Sequence, residues 1–516
     1  MPEAGRTRSR RFAAAASFSG TAATMLVASL QSLLLMPLYL HAVGPKLYGA
    51  WLASGDVLVW LQSFDLGLPN LMIQRIAKAD GERDEKAAGE YFVTGTMILA
   101  CVSALLVALL YWAAPAIPRW LDLTGDDAGL VVRCIRVAAF ASGLTLLNWS
   151  VVGYSRAVQD TAALNVTGVI ASLAAFVVTF VLLLRGLGLW SLVGGACTRS
   201  IVSILGSVAF LVSRSRDGRF KHLRVNRAIA VEMLRMSPAT AGGGIAYVLM
   251  NQSENAIVGV LLGPALVPIL SITRKGADIL RALLDMIGFA AYGGFAHLVA
   301  SRDRSRASRV HAEILSLNLS LGVAAAATYM ALNPSFVTRW VGSDYFGGPL
   351  LTVLIAAQMI TLSASYLINY FYRASGRIVE GSVALIVECA VRVPLMAALV
   401  IMLGLKGVPL AGLMTAAVAA SVVYRWTMVE LSSFSYRVDP RPAKVAIIRS
   451  LLLVAGAVVC ARVTIASWPF VFGIGIASFA VSATLLIGTD RRLEGIQASV
   501  RARIGYAWPR RGPSGD

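Results

Sequence analysis

Long apolar runs alternate with short polar segments along the whole chain. Residues 104–114, 173–184 and 450–461 are examples, each inside a longer run. A helix that crosses hydrocarbon needs about 20 mostly apolar residues. On that basis the pattern predicts fourteen spans: 12–40, 47–74, 91–114, 129–153, 163–184, 189–212, 237–261, 266–296, 310–333, 349–371, 380–402, 408–431, 450–465 and 470–488. Helices are expected because hydrocarbon offers no partner to a backbone N–H or C=O. The fold class predicted is therefore an all-α integral membrane protein with about fourteen transmembrane helices. The first apolar run follows the basic segment Arg6 to Arg11 and extends to about Leu40, too long for a signal-peptide core, so it reads as the first span.

The connections carry the charge. With the N-terminus placed in the cytoplasm, the inward tails and loops hold 32 of the 46 Lys and Arg, the outward loops five, and the spans the remaining nine. That asymmetry is the positive-inside rule, and a missed span would have scrambled it. It also accounts for the net charge of +19 without nucleic acid. Charged residues are only 14% of the chain, against about 25% for a soluble domain. The five cysteines all fall inside predicted spans with no metal-ligand spacing, and they read as small apolar residues.

Three sequence matches repeat at a nearly constant offset. Leu40-His41-Ala42-Val43-Gly44-Pro45 after the first span corresponds to Val260-Leu261-Leu262-Gly263-Pro264 after the seventh, with the Gly-Pro pairs offset by 219. Arg119-Trp120 corresponds to Arg339-Trp340, and Tyr154-Ser155-Arg156-Ala157 to Phe371-Tyr372-Arg373-Ala374. The repeat predicts two six-helix lobes at 12–212 and 237–431, joined by the basic loop 213–236, with two further helices in 432–488. A basic segment, 1–11, and a basic tail, 489–516, flank them. Six helices per repeat give both lobes one orientation, an arrangement suited to alternating access around a midplane substrate.

Ionisable groups inside hydrocarbon are costly and mark cavities or pathways. The eighth span is the richest. Arg274, Asp278, Arg281 and Asp285 follow at intervals of 4, 3 and 4, which puts them on one helix face, with Lys275 three before Asp278. Ile272, Ile279, Leu283 and Ile287 take the opposite face. A charged stripe against lipid is implausible, so the row is expected to line a hydrated cavity. Arg274, Lys275 and Arg281 suit phosphate oxygens, although the same spacing also fits a self-neutralising structural ladder. Glu388 and Arg392 form an i,i+4 pair in the eleventh span. Glu254, beside Asn251 and Gln252, is a candidate proton or sodium site, and Asp56 and Asp65 are further cavity acids, with Pro69 bending their helix. Arg133 and Arg136 sit in the outer third of the fourth span, where they either contact substrate or snorkel outward. Arg199, Arg425 and Arg462 read as structural or interfacial.

Catalytic chemistry is poorly represented. His41, His222, His297 and His311 are all expected at loops or helix ends. No GxxxxGK[ST] loop is present, which argues against primary ATP-driven transport. The only acidic residues on the short outward loops are Asp122, Asp126, Asp127 and Asp344. An enzyme is therefore not expected, nor a metal or cofactor.

Tyr48-Gly49, Trp51 and Asp65-Leu66-Gly67-Leu68-Pro69-Asn70 follow one another through the second span, and a basic segment with Arg75, Ala77 and Lys78 comes after it. With Arg339-Trp340-Val341-Gly342 before Tyr345, the order resembles the Wzx-type polysaccharide flippases of the multidrug/oligosaccharidyl-lipid/polysaccharide exporter superfamily. The resemblance implies translocation of undecaprenyl-diphosphate-linked oligosaccharide across a bacterial inner membrane. It implies the diphosphate at the Arg274, Lys275, Arg281 row, the glycan in a hydrated route and the polyprenyl tail in lipid. Related lipid II flippases carry cavity arginines in helices 1, 2 and 8. Here helix 1 offers Gln31 and Ser32 and helix 2 offers Asp56 and Asp65, which favours a surface-polysaccharide repeat unit over lipid II. The partners expected are the lipid-linked oligosaccharide, membrane lipids, polysaccharide polymerase or export machinery, and coupling H+ or Na+. The alternatives are a cation-coupled drug exporter of the same superfamily and a glycan-modifying membrane enzyme or scaffold.

The charge asymmetry makes a direct prediction. A fluorescent protein fused after residue 516 should fluoresce, whereas alkaline phosphatase fused in the 185–188 loop should be active. The reverse pattern would overturn the assigned orientation.

Overall fold

A computed structural model describes residues 27, 30–63, 65, 67–216, 224–300, 304–430, 443–462, 467–490 and 493. Among them the chain is helical, with no strand. In order the helices are α1 (Leu30–Val43), α2 (Pro45–Ser63), α3 (Leu68–Gly81), α4 (Glu85–Ala113), α5 (Ala116–Trp120), α6 (Gly125–Ala157), α7 (Ala162–Leu184) and α8 (Trp190–Arg216). They continue as α9 (Arg227–Gln252), α10 (Glu254–Leu262), α11 (Val267–Ala300), α12 (Arg304–Trp340), α13 (Pro349–Ala374), α14 (Ile378–Leu403), α15 (Gly407–Glu430), α16 (Ala443–Arg462) and α17 (Trp468–Thr489). Every predicted span overlaps a helix, and the protein is a multi-pass membrane protein. Length and apolarity alone do not reproduce the count of fourteen. Nine helical segments among the described residues satisfy both, and ten if the bent pair α9 and α10 is one span. One of the nine, Ile378–Val429, contains both α14 and α15.

Two predicted helices are broken, each for a local reason. The span 47–74 is divided between α2, which ends at Ser63, and α3, which starts at Leu68. Asp65 accepts a hydrogen bond from the Gly67 N–H at 2.8 Å through Oδ1, and Gly67 takes the left-handed conformation at φ 67°. Pro69 then falls in the first turn of α3, where its missing N–H costs nothing. Proline therefore starts a new helix here and does not bend an old one. The span 237–261 is bent by 46° between α9 and α10. The Ser253 hydroxyl donates back to the Leu249 carbonyl at 2.6 Å at this bend, a side-chain bond that competes with the helical ladder.

The chain divides into two compact units, Met1–Pro268 with Leu385–Val393, and Ile269–Ala384 with Pro394–Asp516. In the first, Leu68, Leu71, Met72 and Ile76 of α3 pack with Phe92 and Leu99 of α4, Tyr154 of α6 and Met233 of α9. Polar bonds close this end: Arg75 pairs with Glu232, Tyr91 donates to Glu232 at 3.0 Å, and Asn226 donates to Glu90 at 2.8 Å while capping α9. In the second unit, α12 is central. Val323 and Ala324 pack with Ala483 and Leu486 of α17, and Arg449 of α16 reaches the Ser320 hydroxyl at 2.8 Å and Asp490 at 3.5 Å.

His311 departs from expectation. Because α12 begins at Arg304, His311 lies two turns inside it, fully buried against the rings of Phe295, Phe371 and Tyr424. His41 lies near the end of α1, as expected; His222 and the side chain of His297 lie outside the described residues.

The sequence repeat has a backbone counterpart. Gly44 and Gly263 have φ of 83° and 94°, and each precedes a proline that opens a helical segment. Asp122 and Gly342, offset by 220, have φ of 49° and 107°. Gln159 and Gly376, offset by 217, have φ of 56° and 96°. Tyr154 to Ala157 are the last four residues of α6, and Phe371 to Ala374 the last four of α13. Both helices terminate with matching bonds: Val158 N–H to Tyr154 and Gln159 N–H to Arg156, against Ser375 to Phe371 and Gly376 to Arg373, at 3.0 to 3.2 Å.

Gly49 explains one element of the motif in α2. A Cβ there would lie 1.8 Å from the Pro264 carbonyl oxygen, so α2 approaches that turn at a distance open only to glycine. Gly49→Ala should lower stability by about 1–3 kcal/mol through overpacking. Gly55→Ala, whose Cβ would meet nothing within 4 Å, should raise it by about 0.5–1 kcal/mol. Thermal unfolding in detergent would check both; equal midpoints would contradict the close approach.

Candidate functional site

The ionisable row on α11 belongs to the second unit and is fixed by its neighbours. Thr273 anchors the N-terminal end of the row. Its carbonyl accepts from the Tyr329 hydroxyl of α12 at 2.7 Å, and its hydroxyl accepts from the Gly347 N–H at 2.9 Å. Further along, Asn318 of α12 donates to the Leu284 carbonyl at 3.3 Å and to Ser363 of α13 at 3.2 Å. These bonds set the rotation of α11, and with it the direction of the row.

Within the row the charges pair as the spacing predicts. Arg274 Nε lies 3.3 Å from Asp278 Oδ2, and Arg281 Nε lies 3.4 Å from Asp285 Oδ2. The Arg281 guanidinium also sits 5.3 Å from the centre of the Tyr366 ring, a cation–π contact. Tyr366 escaped the sequence reading because an aromatic at helical spacing is ordinarily core. Lys275 is half-buried and makes no ion pair among the described residues. Three cations against two carboxylates leave the row one positive charge in excess.

The row's surroundings are legible from its two sides. Leu283, half a turn around the helix from Arg274, is 53% exposed, so that side meets hydrocarbon. The Asp278 side chain is 48% exposed. A carboxylate on the face away from the lipid side is tolerated when that face is hydrated. The arrangement holds a half-buried cation, Lys275, beside two neutralised Arg–Asp pairs, a chemistry suited to an anion.

The other predicted residues do not join this row. Arg392 and Glu388 form a pair in the first unit with side chains 1% and 4% exposed, so both are buried in the protein and not at a cavity wall. Arg136 is held on α4, where Nε donates to the Tyr111 carbonyl at 3.3 Å and the guanidinium lies 4.5 Å from the Tyr111 ring centre. Asp65 caps the break before α3. Glu254 is buried in the first turn of α10, where the helix dipole favours a carboxylate. Asp56 lies in α2, and its side chain is outside the described residues.

Removing one partner of a buried pair leaves a naked charge, at a cost of about 3–5 kcal/mol. Arg392→Leu should therefore lower the thermal midpoint sharply. The double replacement with Glu388→Leu should recover most of the loss; if it recovers none, the pair is not the stabilising element.

The chain is similar to known proteins along most of its length. Residues 16–298, more than half of it, match the family described as polysaccharide biosynthesis protein. No curated protein sequence matches the chain. Among solved structures, it resembles the inward-facing conformation of a multidrug resistance MATE family transporter of the MOP superfamily. That match has TM-score 0.59 and 18% identity, covering 79% of this chain and 96% of the other. It also resembles MATE in the bent conformation, at TM-score 0.56 and 16% identity over 80% and 93% of the two chains. An outward-facing MATE transporter matches at TM-score 0.55 and 17% identity over 80% and 94%. With these matches beside the row on α11 and the paired turns, the chain belongs to the polysaccharide biosynthesis protein family and has the fold of the MOP superfamily, as its resemblance to the Wzx-type flippases implied.

Proposed function

We propose that the protein is a flippase that carries undecaprenyl-diphosphate-linked oligosaccharide, a surface-polysaccharide repeat unit, across the bacterial inner membrane. Both termini face the cytoplasm. Lobes 12–212 and 237–431 alternate access, and the translocated unit passes to polymerase or export machinery for lipopolysaccharide or exopolysaccharide. The observation that carries this reading is the excess positive charge of the α11 row in a chain of the polysaccharide biosynthesis family. A diphosphate brings the paired negative charge that Lys275 lacks among the described residues. The two Arg–Asp pairs hold guanidinium groups beside it at little cost, because each is already neutralised. Arg274 and Arg281 then supply N–H donors as the phosphate enters.

A second reading is a cation-coupled drug exporter, favoured by the buried Glu254 at the bend between α9 and α10. Ionisable residues inside the membrane mark ion and proton pathways in pumps and transporters, and in the flippase Glu254 serves that role. A cationic drug, however, would meet the wrong sign at Lys275.

The test is leaflet-resolved accumulation of undecaprenyl-diphosphate oligosaccharide in a deletion strain, complemented by wild type or by variants. The Arg274→Ala, Lys275→Ala, Arg281→Ala triple variant should leave the precursor on the cytoplasmic leaflet. Lys275→Ala alone should cut export tenfold or more at unchanged thermal midpoint, because it breaks no ion pair, and Lys275→Arg should retain export. Precursor reaching the outer leaflet in a deletion strain that lacks a redundant flippase would refute the reading.

A further inference from the structure

Arg199 on α8 has no place in the α11 row. It is the tenth residue of its helix, about 14 Å along the axis from Trp190 at 1.5 Å per residue. Hydrocarbon is about 30 Å thick, so this depth is close to the midplane. Its partner agrees with that depth. Arg199 Nη2 donates to the Ser172 hydroxyl at 2.9 Å, and Ser172 is the eleventh of 23 residues in α7. Gln31 of α1 donates to the Ser172 carbonyl at 2.7 Å. Side chains from three helices of the first unit therefore meet at one serine.

Charge and exposure at this point are unusual. No Asp or Glu occurs in 12–43, 162–184 or 190–216, so none of the three helices carries a counter-charge. Among the described residues Arg199 makes no ion pair, and one hydrogen bond engages a group with five N–H donors. Arg199 is nonetheless exposed. The exposed apolar stripe of α8 is Ile201, Leu205, Val208 and Val212, and at 3.6 residues per turn Arg199 lies about 150° around the helix from its centre. Lipid meets the stripe. An uncompensated guanidinium on the other side, at mid-depth, requires water or an anion.

We propose that Arg199, positioned by Ser172 and Gln31, is a second oxyanion-binding subsite for the translocated lipid-linked oligosaccharide. It rests on the flippase reading above and assigns the first unit its own contact with substrate. Ser172 takes one N–H and leaves the fork-shaped remainder of the guanidinium for a carboxylate or phosphate. The oxyanion comes either from the diphosphate or from an acidic sugar of the glycan.

Binding of three probes to the full-length protein in detergent tests this: undecaprenyl diphosphate, a glucuronate-containing oligosaccharide, and a neutral oligosaccharide of the same length. Arg199→Gln should weaken at least one anionic probe tenfold or more and leave the neutral one unchanged. Loss of undecaprenyl diphosphate names the diphosphate as the source; loss of the acidic glycan names the sugar. Arg199→Lys should retain part of the affinity. Anionic affinities within twofold of wild type at an unchanged thermal midpoint would overturn the subsite. A latch between α7 and α8 would instead lower the midpoint equally for Arg199→Gln and Ser172→Ala with binding intact, which also overturns it. If Arg199→Gln fails to fold, protection of wild-type Arg199 from phenylglyoxal by either anionic probe decides, and no protection rejects the proposal. Lys275→Gln separates the two readings. If it loses undecaprenyl diphosphate while Arg199→Gln binds normally, the flippase reading stands and this inference fails. A wild type that binds no anionic probe defeats both.

Discussion

A charge placed in hydrocarbon has to be met within the reach of its own side chain, and much of this molecule is arranged around that requirement. On α11 two arginines each meet an aspartate one turn later on the same helix. On α14 the same spacing buries Arg392 with Glu388. Arg449 finds its carboxylate across helices, at Asp490 beyond the end of α17, and so holds α16 and α17 to α12. Arg136 meets an aromatic face and a carbonyl. Helix rotations follow from these pairings, since an apolar helix packed on apolar neighbours in lipid has little else to fix its azimuth.

The same solvent makes every interruption of a helix expensive, because each freed backbone group needs a partner. The breaks are accordingly built from short polar side chains. Asp65 satisfies the Gly67 N–H before α3 restarts, and Ser253 turns its hydroxyl onto the preceding helix where α10 departs from α9. A break then changes what an acid can do. Glu254 sits on the first residue after one, at the positive end of a new helix.

The helices were legible because an uninterrupted run of about 20 apolar residues has one reading in hydrocarbon. Pairs on one helix were equally legible, since a spacing of four brings Arg281 to Asp285 whatever surrounds them. Interhelical relations were not. Nothing in the linear order ties Arg75 to Glu232, Arg449 to Asp490, or Arg199 to Ser172. The two broken helices were read as continuous because their polar residues are too few to interrupt an apolar average. His311 was placed at a helix end because the first turns of α12, from Arg304 to Arg309, are polar and the apolar run starts only after them. Lys275 was grouped with its arginine neighbours, and its distinction, the lack of a carboxylate in ion-pair range among the described residues, exists only in three dimensions.

The paired turns bear on how such a chain keeps its form while its residues change. At three corresponding points the backbone enters the left-handed half of conformational space. The second copy meets that demand with glycine each time, whereas the first uses Gly44, Asp122 and Gln159. Side-chain identity differs at two of the three, and the handedness does not. Segments matched in this way are therefore compared more faithfully by the sign of a torsion angle than by the letters of their sequence. A correspondence between the matched segments can be read there where the residues themselves do not agree.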